Sequence, residues 1–194
     1  MSDLSAERQR RWQQIVEQLD RDYRSLPQTE KEHIAELLTE IKCAQQPLDH
    51  LFKKADGELV CAACEGACCA KGHNHAGLAN VLAYLQQDTL PPQPDFSVTC
   101  PWLGPRGCAH DADRRPYNCI SFLCDKLEER LDKAEVEEFY RLDRELRKWY
   151  QVFSDRYLGG GMTGLLLQSE RQNGRSLLGL RSATTDETVP QESA

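Results

Sequence analysis

Two stretches near the start of the chain carry apolar residues at helical spacing. The first stripe lies between residues 4 and 26, with charged residues between its members, and comprises Trp12, Ile15, Val16, Leu19, Tyr23 and Leu26. After Pro27, the segment Thr29–Glu32 has the form of a capping box that begins a second helix. Its stripe consists of Ile34, Leu37, Leu38 and Ile41. The pattern predicts a helical hairpin, followed by a short third helix around residues 48–52 that stops at Asp56-Gly57.

The rest of the chain predicts one small hairpin and one long helix. Asn74 is placed to cap a fourth helix, and the prolines between residues 90 and 94 indicate an extended segment. A β-hairpin is expected over residues 96–110, with its turn at residues 104–107. From about Lys126 to Leu158 one apolar face predicts the longest helix, which Gly159-Gly160-Gly161 ends.

These elements predict a mainly α fold, in which helices surround an irregular cysteine-rich metal-binding module with a small β-hairpin. We divide the chain into a helical hairpin plus short helix (1–57), a cysteine module (58–125), a long helix packing on it (126–181) and a disordered tail (182–194). The mean hydropathy of -0.63 and an aromatic content of 7% indicate a small core under a solvated surface.

The charge of the chain limits its partners. With 24 Lys and Arg against 31 Asp and Glu, the net charge is -7, which argues against nucleic acid or an anionic membrane as a partner. No secretory signal and no apolar run of membrane-spanning length is visible. We therefore expect a cytoplasmic protein without membrane or nucleic-acid binding, whose helical flanks can contact a protein partner.

Cysteine clustering is the strongest chemical signal in the sequence. Eight of the nine cysteines lie between residues 61 and 124, and the ninth, Cys43, stands alone on a predicted helix as a small apolar residue. The eight are Cys61, Cys64, Cys68, Cys69, Cys100, Cys108, Cys119 and Cys124. Because cytosolic thiols stay reduced, their clustering predicts metal ligands rather than disulfides.

The identity of the metal stays open at this point. Thiolate ligands favour zinc or an iron–sulfur cluster over calcium or magnesium. We favour an iron–sulfur cluster, with zinc as the alternative. Because adjacent side chains diverge, we expect Cys68 and Cys69 either to serve two sites or to leave one thiol as a packing group.

Other residues near the cysteines are candidates for supporting roles. His73 and His75 follow Cys69 closely and are possible additional metal ligands. Arg114 and Arg115 precede Cys119, where a guanidinium would offset thiolate charge. The glycine run at 159–161 lacks the lysine of a phosphate-binding loop and is interpreted as a helix end.

The cysteine pattern resembles the YkgJ-type cysteine-cluster family, described as a zinc- or iron-chelating domain. The resemblance covers about residues 58–125 and rests on Cys61-x2-Cys64-x3-Cys68-Cys69, Thr99-Cys100-Pro101-Trp102-Leu103, Arg106-Gly107-Cys108 and Arg115-Pro116-Tyr117-Asn118-Cys119. The chain departs from that pattern in three places: an extra residue before the adjacent pair, Ile120 in place of an arginine, and a longer gap before Cys124. The resemblance implies metal binding, often as iron–sulfur.

Three classes of function follow from this reading. The first is an iron–sulfur protein with a redox, sensing or electron-transfer role. The second is a zinc-stabilised protein-interaction module. The third is a metal-dependent enzyme that modifies proteins, since flagellin lysine methylase is similar in carrying a related cysteine cluster. The sequence does not decide whether the chain is an enzyme.

Overall fold

A computed structural model describes residues 3–64, 72–105 and 107–181, and the mainly α fold class is confirmed within these ranges. The elements are α1 (Asp3–Ser25), α2 (Gln28–Lys54), α3 (Gly57–Ala63), α4 (Leu78–Leu85), β1 (Leu103–Gly104), β2 (Gly107–Cys108), α5 (Tyr117–Ile120), α6 (Asp125–Glu128), α7 (Lys133–Arg156) and α8 (Leu165–Gln172). Two short 3₁₀ turns occupy Gly72–Asn74 and Ala112–Arg114. The predicted tail at 182–194 lies outside the described residues.

The core forms where the apolar faces of the long helices meet. Helix α2 packs along α7, whereas α1 packs mainly on α4 and α8. The most deeply buried side chains of this core include Trp12, Leu19, Ile34, Leu82, Leu146, Phe153 and Tyr157. No helix in the described ranges is long and apolar enough to cross a membrane.

The predicted short third helix is wrong, because α2 continues without a break through Pro47 to Lys54. An interior proline costs a helix about 3 kcal/mol. Leu48, Leu51 and Phe52 extend the buried face of α2 beyond that proline. Burial of such side chains contributes about 1.5–3 kcal/mol each, which outweighs the cost of the proline.

The long helix predicted from 126 to 158 is also wrong as a single element. It is divided into α6 and α7 by the turn before Lys133. The Oδ1 atom of Asp132 accepts a hydrogen bond from the Glu135 backbone N–H at 2.9 Å, and the Asp132 N–H donates to Oε2 of Glu135 at 3.0 Å. This reciprocal capping box makes Asp132 the N-cap of a new helix, α7.

The predicted β-hairpin is present as the pair β1–β2, with Leu103 opposite Cys108 and Gly104 opposite Gly107. Gly107 has φ of 100°, a conformation that a side chain would strain. Helix α4 starts later than predicted, after Gly77, whose backbone N–H donates to Oδ1 of Asn80 at 2.9 Å.

Candidate metal centre

Six of the eight clustered cysteines line one cavity of about 70 Å³. They are Cys61, Cys64, Cys100, Cys108, Cys119 and Cys124. Cys68 and Cys69 lie outside the described residues. The two cysteine-rich stretches of the sequence are therefore brought together in space, as the prediction of one joint module requires.

Short elements deliver these thiols from different directions. Cys61 sits on α3 and Cys64 directly follows it, so the module expected to be irregular includes a short helix at this point. Cys108 comes from β2, Cys119 from α5, and Cys124 precedes the first residue of α6. Each element is too short to be stable alone, so their convergence depends on packing against neighbouring elements. Helices α3 and α5 contact α2, and α3 also contacts β2 and α6.

The lining of the cavity is mostly apolar apart from the thiols. Phe52 and Leu127, with relative exposures of 8% and 2%, belong to a small buried cluster that also includes Ala55 and Val60. Phe122 also lines the cavity and is 53% exposed. Buried and exposed apolar side chains therefore both contribute to the lining.

The protein environment raises the pKa of two cavity thiols, Cys119 and Cys108. Burial raises the pKa of Cys119 well above its usual range, and the nearby Cys108 and Cys100 thiols raise it further. Burial also raises the pKa of Cys108, although the His110 backbone N–H and Arg115 act to lower it. A metal ion inverts such effects, since a coordinating thiol is deprotonated outright.

The two candidate histidines occupy different positions. The Nδ1 atom of His75 lies 3.3 Å from Sγ of Cys119, and burial lowers the pKa of His75. His73 is engaged elsewhere: its Nδ1 lies 2.6 Å from Arg8 Nη1 and its Nε2 lies 2.8 Å from the Val98 carbonyl oxygen. Neither ring is among the residues that line the cavity. Only His75 contacts one of the cavity thiols.

The two adjacent arginines, Arg114 and Arg115, make different contacts. The Arg114 guanidinium stacks over Tyr84 at 4.4 Å and pairs with Asp111. The Arg115 side chain instead lines the thiol cavity, and the residue is 5% exposed. Its Nη1 atom lies 3.6 Å from Oδ1 of Asp49 on α2. The charge predicted to offset thiolates therefore comes from Arg115.

Asp49 and Phe52 are site residues that sequence reasoning did not identify. Asp49 is 6% exposed and lies between the buried Leu48 and Leu51. A carboxylate inside an apolar helical stripe is a recognisable signal, because a buried charge requires a partner. Phe52 carries no comparable signal, since it continues the apolar stripe of α2.

Across the described residues, no three His, Cys, Asp or Glu side chains stand close enough together to hold a single ion.

Comparison with known proteins adds no relative: no family model, no curated protein and no solved structure matches this chain.

Proposed function

We propose that the chain is a metalloprotein that holds an iron–sulfur cluster on cysteine thiolates and uses it in electron transfer, sensing or another redox role. The observation that carries the proposal is the convergence of six thiols from residues 61–124 on one cavity. The ligands would be drawn from these six together with Cys68 and Cys69. Membership of the YkgJ-type family is part of the same proposal.

Thiol chemistry supports a soft transition metal. Sulfur ligands select zinc, copper(I) or iron–sulfur clusters over the hard cations that prefer oxygen. The one carboxylate in the cavity lining, Glu58, belongs to an exposed residue. The donor set that faces the cavity is therefore almost entirely sulfur.

Cavity size supports a group of several atoms over one ion. A single water needs about 10–15 Å³ of such volume, and this cavity offers about 70 Å³. A bound group of several atoms therefore fits the space beside the thiols. Bound iron and sulfide would supply redox chemistry, while the protein residues hold and shield them.

The small apolar cluster beside the cavity supports a structural contribution as well. Within the described residues, it has four buried members, Phe52, Ala55, Val60 and Leu127, and Cys61 and Cys124 pack against it. So small a cluster contributes little to holding α3 and α6 in place. A bound metal group would add folding free energy at that point. This observation is shared by the zinc-stabilised alternative.

Metal and sulfide analysis of the full chain, purified without oxygen, tests the proposal. We expect iron and acid-labile sulfide in similar amounts, together with broad visible absorbance. A colourless protein with stoichiometric zinc would replace the cluster with the zinc-stabilised module. Protein that retains no metal when purified from iron- and zinc-supplemented cells would overturn the metal proposal altogether.

A further inference from the structure

We infer that Arg115 is a positioning residue of the proposed metal centre, whose guanidinium donates hydrogen bonds to the anionic sulfur of a group bound in the cavity. The inference rests on the proposed function. Its starting point is that two guanidinium nitrogens, Nε and Nη1, are buried and make no hydrogen bond of good geometry among the described residues. Nη1 lies 3.6 Å from Oδ1 of Asp49, and the guanidinium acts on the Cys108 thiol, whose pKa burial raises and Arg115 lowers. Buried donors without an acceptor are energetically costly, and charged ones more so.

The position of Arg115 is fixed independently of what the cavity holds. Its carbonyl oxygen accepts hydrogen bonds from Gln45 Nε2 at 2.7 Å and from Asn80 Nδ2 at 3.2 Å. Pro116 restricts the preceding residue to extended backbone, and Arg115 has φ of -63° and ψ of 136°. The guanidinium lies 4.8 Å over the Phe52 ring. These contacts hold the Arg115 guanidinium in place beside the thiols of the cavity.

The charged groups around the Arg115 guanidinium do not balance its positive charge. Asp49 is the buried carboxylate beside Arg115, but its Oδ2 atom lies 2.7 Å from Lys53 Nζ. Lys53, Asp49 and Arg115 together therefore carry one net positive charge. Glu58 also lines the cavity, yet it is exposed and solvated. A metal group with several thiolate ligands is negative overall, so it would balance the charge and supply the missing acceptors.

Arginine suits this role better than lysine would. The planar guanidinium presents several N–H donors in a rigid arrangement, whereas an ammonium group is a compact point charge on a flexible stem. Hydrogen bonds to cluster sulfurs are one of the protein's means of setting a reduction potential. Removing a nearby positive charge makes the addition of an electron less favourable. Loss of the Arg115 guanidinium should therefore shift the reduction potential of the bound cluster to more negative values.

The test compares Arg115→Gln, Arg115→Lys and the matched neighbour Arg114→Gln with the unaltered full chain. The reduction potential is measured on anaerobically purified protein, and the affinity for Zn²⁺ alone is measured on reduced metal-free protein by chelator competition. We expect Arg115→Gln to have a more negative potential and about 10–100-fold weaker zinc binding, the usual effect of losing a ligand's hydrogen-bond partner. The potential and zinc affinity of Arg115→Lys should lie between those of Arg115→Gln and the unaltered chain. Arg114→Gln should match the unaltered chain in both.

The outcomes separate the inference from the proposed function. Metal-loaded Arg115→Gln with an unchanged potential and unchanged zinc affinity would overturn the role of Arg115 and leave the metal centre standing. An unaltered chain that binds neither iron nor zinc would overturn both. If the centre holds zinc alone, the zinc affinities of the variants test the role of Arg115. If Arg115→Gln does not fold, the zinc affinities of Arg115→Lys and Arg114→Gln are compared instead.

Discussion

The Nδ1 atom of His75 lies 3.3 Å from the Sγ atom of Cys119, joining parts of the chain that are 44 residues apart. The same thiol lies near Cys100, Cys108 and Arg115. Cys119 is thus the point at which the histidine, the arginine and the thiols of the downstream stretch meet. In the proposed centre it is the ligand whose loss should matter most.

Replacing Cys119 by serine should remove most of the bound metal. Serine keeps the approximate shape but loses the soft sulfur donor that zinc and iron–sulfur clusters select. The measurement is metal content per chain after anaerobic purification. Cys43→Ser is the matched control, because Cys43 is exposed on α2 and lies outside the cavity lining. Equal metal loss in the two variants would contradict the placement of the site.

Replacing His75 by phenylalanine should weaken metal retention without abolishing it. The change removes a hydrogen-bond partner of the Cys119 sulfur, a loss that typically costs about 10–100-fold in affinity. Zinc affinity by chelator competition is the measurement. His73→Phe provides the comparison, since that ring binds Arg8 and Val98 instead. An equal effect from both variants would show that the His75–Cys119 contact is not the cause.

The sequence predicts the architecture well where one apolar stripe decides an element. The faces of α1 and α7 and the β1–β2 hairpin follow directly from spacing and turn residues. The break before α7 was also readable, because Asp132 and Glu135 form a capping-box pattern. The continuation of α2 through Pro47 was not, since it depends on how much area Leu48 and Phe52 bury against other elements.

For the site, the sequence predicts which residue types take part. It does not predict which of the two arginines or which of the two histidines lies beside the thiols. Clustering alone indicates the thiols, and the pair Arg114 and Arg115 indicates a cation nearby. Which arginine enters the cavity depends on the turn at residues 112–114 and on Pro116. Which histidine contacts a thiol depends on where α5 brings Cys119. These are consequences of tertiary packing, which a local pattern does not contain.

Removing the metal should loosen the cysteine module before the rest of the protein. Helices α3 and α6 are short and share only a small apolar cluster, whereas α4 and α5 bury side chains in the same large core as α1, α2 and α7. Hydrogen exchange followed by mass spectrometry, with and without a chelator, should show faster exchange first in α3 and α6. Exchange that is unchanged there, or that rises equally in α7, would contradict a structural role for the metal.

The ion pair between Glu30 and Arg156 should give a pH-dependent contribution to stability. Arg156 Nη2 lies 2.6 Å from Glu30 Oε2, and Tyr157 donates to Oε1 at 2.6 Å. The hydrogen bond from Arg156 lowers the pKa of Glu30 below its ordinary value of 4.5. The folded state therefore gains this stability fully above about pH 4.5 and loses it as the pH falls through the lower pKa.

Glu30→Gln tests that contribution in urea unfolding of metal-free protein. Because the Arg156 side chain is 38% exposed, solvent screening limits the expected loss to about 1 kcal/mol at pH 7. The difference from the unaltered chain should shrink below pH 4. Glu32→Gln, at an exposed position on the same helix, is the control. A difference that is constant with pH would mean that the Glu30 charge is not involved.

In the proposed centre, cysteine sulfurs surround one metal group in the cavity formed by residues 61–124. X-ray absorption at the edge of the bound metal, on full-length protein purified without oxygen, measures which atoms surround that metal. We expect a first shell made of sulfur, with iron neighbours at short distance beyond it. A first shell dominated by nitrogen or oxygen would contradict it.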